Sequence, residues 1–335
     1  MPTSNRQIRL AARPRGLPTP DVWEHTTEPL APPGPGQFLV KVECISLDPA
    51  MRGWMNEGRS YIPPVGIGEV MRAGAIAQIV ASRHEGFAVG DHVSSLFGVQ
   101  EYALSDGKGV TKVDPGVAAL PTYLGTLGMT GMTAYFGLLE EGRAAAGETV
   151  VVSGAAGAVG SAAGQIAKLK GCRVVGIAGG AEKCAWLTGE LGFDAAIDYK
   201  AGDVKAALRA AAPEGVDVYF DNVGGEILDD VLAQLGRGAR VVICGAISQY
   251  NADGAVAGPA NYLSLLVNRA SMKGMVVFDY ADRYAEAGRE MAGWIAEGRL
   301  RTREQVVEGG VEAFPAALLM LFAGENTGKL VLAVS

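Results

Sequence analysis

The sequence predicts a two-domain α/β protein, a small barrel-like β domain followed by a doubly wound parallel-sheet domain. Three observations predict it. The chain has 335 residues, more than one hydrophobic core usually serves. Its first third consists of short alternating apolar runs cut by proline and glycine. From Thr149 onward, β-branched apolar runs alternate with helix-like segments. An apolar fraction of 49% with 19% charged residues fits a compact globular chain and argues against disorder.

In the first third, Phe38, Val40, Val42 and Cys44 alternate with Leu39, Lys41 and Glu43. That period of two predicts a strand with one wetter face. Residues 75–81 and 91–95 read as further strands, and residues 31–36 as a proline-rich surface turn. Many short strands between Pro and Gly turns predict the β domain. The apolar runs 150–152, 174–177, 218–220 and 241–243 predict strands buried on both faces, as in a parallel sheet covered by helices. Residues 159–170, 181–191, 204–212 and 227–235 are the expected linking helices. Residues 271–278 add a last strand, 283–297 a helix, and 330–334 a closing strand.

The formal charge of −7 offers no basic face for nucleic acid or anionic lipid. Cys44, Cys172, Cys184 and Cys244 have no CxxC spacing and read as reduced, buried thiols of a cytosolic protein. The opening stretch MPTSNRQIRLAARPRG lacks the apolar run of a secretory signal. Two uncharged stretches, 117–139 and 149–167, are long enough to span a bilayer, but their Gly, Ala, Thr and Pro content predicts buried segments of a soluble protein. A cytoplasmic protein without membrane or nucleic-acid partners is therefore expected. His25, His84 and His92 are the only histidines. None lies in HExxH, and no cysteine cluster has zinc spacing, so no metal is expected. His92 reads as an ordinary surface or turn histidine. No GxSxG elbow is present.

VVVSGAAGAVGSAAGQIAKLKG is the most informative stretch. A buried strand ends at Ser153, and a helix starts near Val159, with Val159, Ala162, Ala163 and Ile166 on one face and Gly171 closing it. The three places of the dinucleotide fingerprint fall on Ala155, Gly157 and Gly160, with Gly154 just upstream. A helix N-terminus offers free amides and a positive dipole end to pyrophosphate. A Gly/Ala turn also serves plain helix packing, and the βαβ context is what favours a nucleotide. The next strand ends in Gly176-Ile177-Ala178-Gly179-Gly180, without the carboxylate that holds an NAD ribose. Lys183 follows, either as a solvated helix lysine or as a point charge for a 2′-phosphate. The expected cofactor is NADPH. With the hard chemistry on a cofactor, missing acid–base machinery fits hydride transfer to an activated alkene better than alcohol oxidation.

Several segments carry a family likeness along essentially the whole chain. GFAVGDHV, beginning at Gly86, resembles the GxxVGDxV turn of medium-chain dehydrogenases/reductases, which join a GroES-like β-barrel domain to a Rossmann domain. LGTLGMTGMTAYFGLLE, GAAGAVGSAAGQIAKLKGC, YFDNVGGE, ICGAISQYN and GENTGKLVL are similar to the zinc-independent prostaglandin, alkenal double-bond and curcumin reductases. The resemblance implies a GroES-like domain over residues 1–125 and 300–335 and a Rossmann domain over 126–299. It also implies NADPH-dependent reduction of the double bond of enals and enones. Carried over by motif, Gly157, Ala158, Val159 and Gly160 meet the pyrophosphate, and Gly180, Lys183 and Tyr199 surround the 2′-phosphate. Asn222 and the run Cys244, Gly245, Ala246, Ile247, Ser248 and Tyr250 line the cofactor. Met275, Val276 and Val277 lie near the nicotinamide, and Asn326 closes over it. Asn222 and Asn326 also sit in glycine turns, where Asn is common.

The chain departs from its relatives in reading Asp48-Pro49-Ala50-Met51-Arg52 where many have DPYMR. It also carries Val267 where some have tyrosine, and Met129-Thr130-Gly131 in place of Met-Pro-Gly. Ile45 is one of the non-ligands at the zinc-ligand positions of alcohol dehydrogenases. Hydride addition to the β-carbon of a substrate would leave an enolate that needs a hydrogen-bond donor. Tyr250, Tyr61 and Tyr262 are the candidate donors, with the cofactor's ribose hydroxyl as another, and each tyrosine is equally open to a role as pocket wall. A quinone reductase of the same superfamily and a non-catalytic NADPH-binding redox sensor are the rival readings. Residues 262–267 are a dimer contact by resemblance, or simply core.

Overall fold

The computed structural model describes residues 3–334; residues 1, 2 and 335, at the outer ends of the expected first domain, lie outside the described residues. The chain forms two compact units, Met1–Leu124 with Glu304–Ser335, and Gly125–Arg303. The first unit opens with β1 (Ser4–Leu10), β2 (Trp23–Pro29), β3 (Phe38–Ser46), α1 (Ala50–Trp54), β4 (Ala75–Ser82), β5 (His92–Ser95), β6 (Tyr102–Ser105) and β7 (Thr111–Val113). The second unit follows with α2 (Met129–Phe136), β8 (Thr149–Ser153), α3 (Ala158–Leu169), β9 (Arg173–Ala178), α4 (Ala181–Gly189) and β10 (Ala195–Asp198). It continues through α5 (Val204–Ala211), β11 (Val216–Asp221), α6 (Gly225–Leu232), β12 (Leu235–Ile243), α7 (Leu263–Asn268), β13 (Ser271–Gly274) and α8 (Tyr284–Ala296). The first unit is completed by β14 (Glu304–Val307), α9 (Phe314–Ala323) and β15 (Lys329–Ala333).

In the first unit the strand order is β14-β15-β3-β4-β5-β7, with β6 also on β3 and a separate β1-β2 pair. All these pairings are antiparallel except β14 with β15. Phe38, Val40 and Val42 of β3 share one core with Ala75, Ala77 and Ile79 of β4, while Lys41 and Glu43 are half-buried. The alternation read from the sequence holds from Val40 to Glu43, but Leu39 is buried as well, and Cys44, past a register shift, packs against a different cluster.

The second unit holds an all-parallel sheet of order β10-β9-β8-β11-β12-β13. Its central strands β8, β9 and β11 are buried on both faces, and alternate residues feed two cores. Val150 and Val152 of β8, Val174 of β9, and Val218 and Phe220 of β11 enter one core. Val151, Val175 and Tyr219 enter the other. That division is what continuous β-branched runs signal, and the order is that of a Rossmann sheet.

Several expectations need correction. β10 was not foreseen, since Ala195-Ala196-Ile197-Asp198 carries too little apolar bulk to stand out. The helix expected over 227–235 is α6, which ends at Leu232; Leu235 instead opens β12 opposite Val216. The strand expected over 271–278 stops at Gly274, and Val277–Arg283 is a 3₁₀ segment. His92 lies in β5 rather than on a surface turn, half-buried and 3.5 Å from Glu43. Stretch 117–139 is only partly buried, with Val117 and Met129 exposed. Of the four free cysteines Cys172 is buried and the other three are half-buried. Among the described residues no helix is long and apolar enough to cross a membrane.

Helix α2 depends on a glycine. A Cβ at Gly131 would stand 1.7 Å from the Thr126 carbonyl oxygen, a backbone atom that cannot swing aside. Gly131→Ala is expected to lower the free energy of unfolding by about 3 kcal/mol in urea denaturation. Gly293→Ala is the control, because nothing lies within 4 Å of that Cβ position inside α8, and it should gain about 0.5–1 kcal/mol. Equal stabilities for the two variants would contradict this packing.

Candidate functional site

The carboxyl ends of the parallel strands gather most of the residues singled out in the sequence. At the end of β8 the chain turns at Gly154 with φ of +57°, a left-handed conformation that glycine takes without strain. The tight turn thus lies one residue before the first fingerprint place. Ala155 is tolerated there because its φ is not positive, and its N–H donates to the Ile177 carbonyl at 3.0 Å. Gly157 caps α3 in an extended conformation. Ala158, Val159 and Gly160 are the first residues of that helix, where amides have no intrahelical acceptor. A Cβ at Gly160 would lie 2.3 Å from the Gly154 carbonyl oxygen, and one at Gly164 would lie 1.9 Å from the Phe193 ring. These glycines let α3 sit directly against the turn and the sheet. A twelve-residue helix pressed end-on against an open turn fits a pyrophosphate.

One buried residue, Asp221, ties three of these segments together, two through its carboxylate and one through its main-chain carbonyl. Asp221 ends β11 with no exposure to solvent. Its Oδ1 accepts from Ser153 Oγ at 2.9 Å, Tyr219 Oη at 2.8 Å, the Val223 N–H at 3.0 Å and the Gly224 N–H at 2.9 Å. Its carbonyl oxygen accepts from the amides of Cys244 at 2.9 Å and Gly245 at 3.1 Å. Burial, followed by the Asp221 charge, pushes the Cys244 thiol up to about 12. The same two causes raise the Tyr219 phenol. Neither group is a nucleophile or base near neutral pH.

Asn222, expected to line the cofactor, donates its side-chain amide to the Ser153 carbonyl at 2.7 Å. It is at least partly a staple between β8 and β11. Gly224 and Gly225 have φ of +69° and +60°, and a Cβ on either would stand 3.0–3.1 Å from the 246–248 loop. In that loop the amides of Ile247 and Ser248 donate to the carbonyls of Asn222 and Val223, both at 3.2 Å. Tyr250 turns its hydroxyl inward, accepting from the Ala246 N–H at 3.1 Å. Met275 and Val277 are buried in the core, with Val276 between them half-buried.

Beside β9, Gly180 caps α4 with φ of +101° and open space at its Cβ. Its N–H already donates to Asp198 Oδ1 at 2.8 Å, so Gly180 offers room rather than a donor. Lys183 is half-buried. Burial lowers its affinity for a proton, and the nearby charge of Lys200 lowers it further. The Tyr199 ring packs over Gly179, 2.8 Å from where a Cβ would be. Paired cations around small residues fit a 2′-phosphate. Tyr262 directly precedes α7 and is exposed.

Tyr61 and Asn326 belong to the first unit. Tyr61 is 56% exposed, and its hydroxyl accepts from Trp54 Nε1 at 3.4 Å. The Asn326 side chain donates to the Gly328 carbonyl at 3.0 Å, holding its own turn. Next to that turn, Lys329 is buried with its Nζ 2.6 Å from Asp48 Oδ1 and 2.9 Å from the Leu47 carbonyl. Ser46 Oγ donates to the other Asp48 oxygen. This pair ties β15 to the segment that leads into α1. Sequence reasoning missed Ser153, Asp198, Lys200 and the role of Asp221. For Asp221 a signal existed, a carboxylate ending an apolar run just before Asn-Val-Gly-Gly.

Asp221→Asn removes the charge that four donors share on Oδ1. The NADPH dissociation constant should rise about tenfold, or ~1.4 kcal/mol, as read by protein-fluorescence quenching with circular dichroism unchanged. An unaltered constant would show that the cofactor loops do not need this carboxylate.

Comparisons with known proteins identify the family. A family model described as the N-terminal domain of oxidoreductase matches residues 6–113, and one described as zinc-binding dehydrogenase matches residues 158–293. Among the described residues, no group of three or more His, Cys, Asp or Glu could hold a metal ion. The NADPH-dependent curcumin reductase of Escherichia coli (strain K12) is 42% identical over 336 residues, covering 99% of this chain and 97% of its own. Prostaglandin reductase 1 of Mus musculus is 42% identical over 322 residues, covering 94% of this chain and 95% of its own. The crystal structure of CurA from Vibrio vulnificus in complex with NADPH matches with a TM-score of 0.94 at 44% identity, over 98% of this chain and 99% of that one. Likeness of this degree along nearly the whole chain has one meaning: the protein is an NADPH-dependent oxidoreductase of the medium-chain dehydrogenase/reductase family, in its double-bond reductase branch.

Proposed function

We propose that the enzyme reduces the carbon–carbon double bond of α,β-unsaturated aldehydes and ketones. The observation that carries this reading is the near-full-length likeness to enzymes named for curcumin and prostaglandin. Curcumin is itself an α,β-unsaturated diketone. When bound, NADPH supplies the hydride that the substrate's β-carbon receives. In this reading Gly157, Ala158, Val159 and Gly160 hold the pyrophosphate, and Lys183 and Tyr199, beside Gly180, hold the 2′-phosphate. Asn222 and residues 244–250 line the cofactor, and Met275, Val276 and Val277 border the nicotinamide. Asn326 is assigned to the nicotinamide end on resemblance alone.

As the β-carbon is reduced, charge collects on the carbonyl oxygen of the substrate. One well-aimed donor there is worth about 2.7–4 kcal/mol. Tyr250, Tyr61 and Tyr262 remain the candidates. Tyr250 and Tyr61 each accept an N–H, an arrangement that orients the phenol. Protonation at the α-carbon comes from solvent, so no dedicated acid is required. A cytoplasmic setting, in which the four thiols stay reduced, completes the reading.

We also propose a homodimer formed along β13. That strand ends the sheet order, is exposed throughout, and presents an edge that invites another strand. Leu263, Leu266 and Val267 of α7 and Met272 of β13 are exposed beside it, and Leu266 reaches 76%.

Three measurements test these readings. Following NADPH absorbance against enals, enones and quinones, kcat/KM should be highest for an enone. Faster turnover of quinones would make the protein a quinone reductase, and no turnover at all would make it a sensor. Replacing Tyr250, Tyr61 and Tyr262 one at a time with Phe should, at one position, lower kcat/KM for the enone about hundredfold. Wild-type values in all three variants would end the tyrosine-donor idea. Light scattering should find a dimer that Leu266→Lys converts to monomer; a monomeric wild type would remove the proposed interface.

A further inference from the structure

Two lysines flank the Gly179–Gly180 turn, although only Lys183 stands where the sequence led us to expect a cation. The second comes from β10, the strand that sequence reading missed. β10 pairs with β9 in parallel, with Asp198 opposite Ala178. Tyr199 and Lys200 therefore emerge level with Gly179 and Gly180. The Tyr199 N–H donates to the Ala178 carbonyl at 3.1 Å. Asp198 Oδ1 accepts from the N–H of Gly180 at 2.8 Å and from that of Lys200 at 2.9 Å, so one oxygen ties both chain segments together.

The Lys200 side chain does not simply extend into solvent. Its Cε lies 2.9 Å from where a Cβ on Gly179 would be, so the stem lies across that glycine. Its Nζ is 5.9 Å from the centre of the Tyr199 ring. Lys183, half-buried across the turn, is harder to protonate because of burial and then because of Lys200, with Glu182 acting in the opposite sense. Two neighbouring ammonium groups repel each other, and an anion between them relieves that repulsion.

We propose that Lys200 is a second cation for the 2′-phosphate of NADPH, that Lys183 and Lys200 together set the preference for NADPH over NADH, and that Asp198 is the positioning residue holding Lys200 beside Gly180. This rests on the reading of the Gly179–Lys183 turn as the 2′-phosphate subsite. A phosphate monoester carries about −1.5 to −2 charge at neutral pH, whereas NADH presents a neutral hydroxyl there. The second cation therefore contributes to one cofactor and not to the other.

The test uses the full-length enzyme, with 2′,5′-ADP and 5′-AMP as competitive probes, alongside kcat/KM for NADPH and NADH. Lys200→Ala should weaken 2′,5′-ADP about tenfold and lower the NADPH/NADH ratio by a similar factor, with the loss carried by the 2′-phosphorylated ligands. Lys200→Arg should keep most of the preference. Equal weakening of 2′,5′-ADP and 5′-AMP would overturn the proposal, since a general structural defect acts on both. If Lys183→Ala lowers the ratio and Lys200→Ala leaves it untouched, the role of Lys200 is refuted while the subsite stands. If neither variant changes the ratio, the 2′-phosphate is not bound at this turn, and the subsite reading itself fails.

Discussion

The carboxylate of Asp221 is the constraint on which the cofactor half of the protein depends. A charge removed from water costs several kcal/mol unless donors replace the lost hydration. Here Oδ1 meets four donors from two strands and the β11–α6 loop. Hydrogen bonds to a charged group contribute about 1.5–3 kcal/mol each, so none of these donors can drift without a large penalty. Ser153 passes the restraint on to Asn222, whose N–H donates to the Ser153 hydroxyl at 2.9 Å. The carbonyl of Asp221 adds the start of the 244–250 loop. Three segments assigned to one ligand are thereby tied to one residue, two through its carboxylate and the third through its main-chain carbonyl, at the carboxyl ends of β8, β11 and β12.

Around that anchor the sequence supplies small residues wherever backbone meets backbone. Gly160 and Gly164 let α3 approach the turn and Phe193. Gly224 and Gly225 turn left-handed against the 246–248 loop. The outcome is a closely packed rim at the N-terminal end of α3. Such packing matters because a site that holds its donors fixed before the ligand arrives loses less ordering entropy on binding.

Much of this was legible in the sequence, and the rest was hidden for physical reasons. The runs at 150–152, 174–177 and 218–220 announced a doubly covered sheet because each residue faces a core. The glycine turn announced a helix packed closely on the sheet, and its βαβ setting is what pointed to a nucleotide. β10 escaped notice because its Ala-Ala-Ile-Asp stretch has a weak pattern and gains its structure from β9. With it went Asp198 and Lys200, whose value lies in a register that spacing alone does not reveal. Asn222 and Gly180 stood at the expected places, yet their amides are engaged within the fold. Hydrogen-bond direction, unlike residue type, is a tertiary property. The buried Lys329–Asp48 pair was equally invisible, since its partners are far apart in the chain.

The central claim is that hydride from NADPH reaches the β-carbon of an enone. Turnover of a simple enone with NADPH deuterated at C4, each face in turn, followed by NMR of the product, tests it most directly. The account predicts a saturated ketone with deuterium at the β-carbon from one of the two labelled cofactors and solvent hydrogen at the α-carbon. Deuterium on the carbonyl carbon, with the double bond intact, would contradict it.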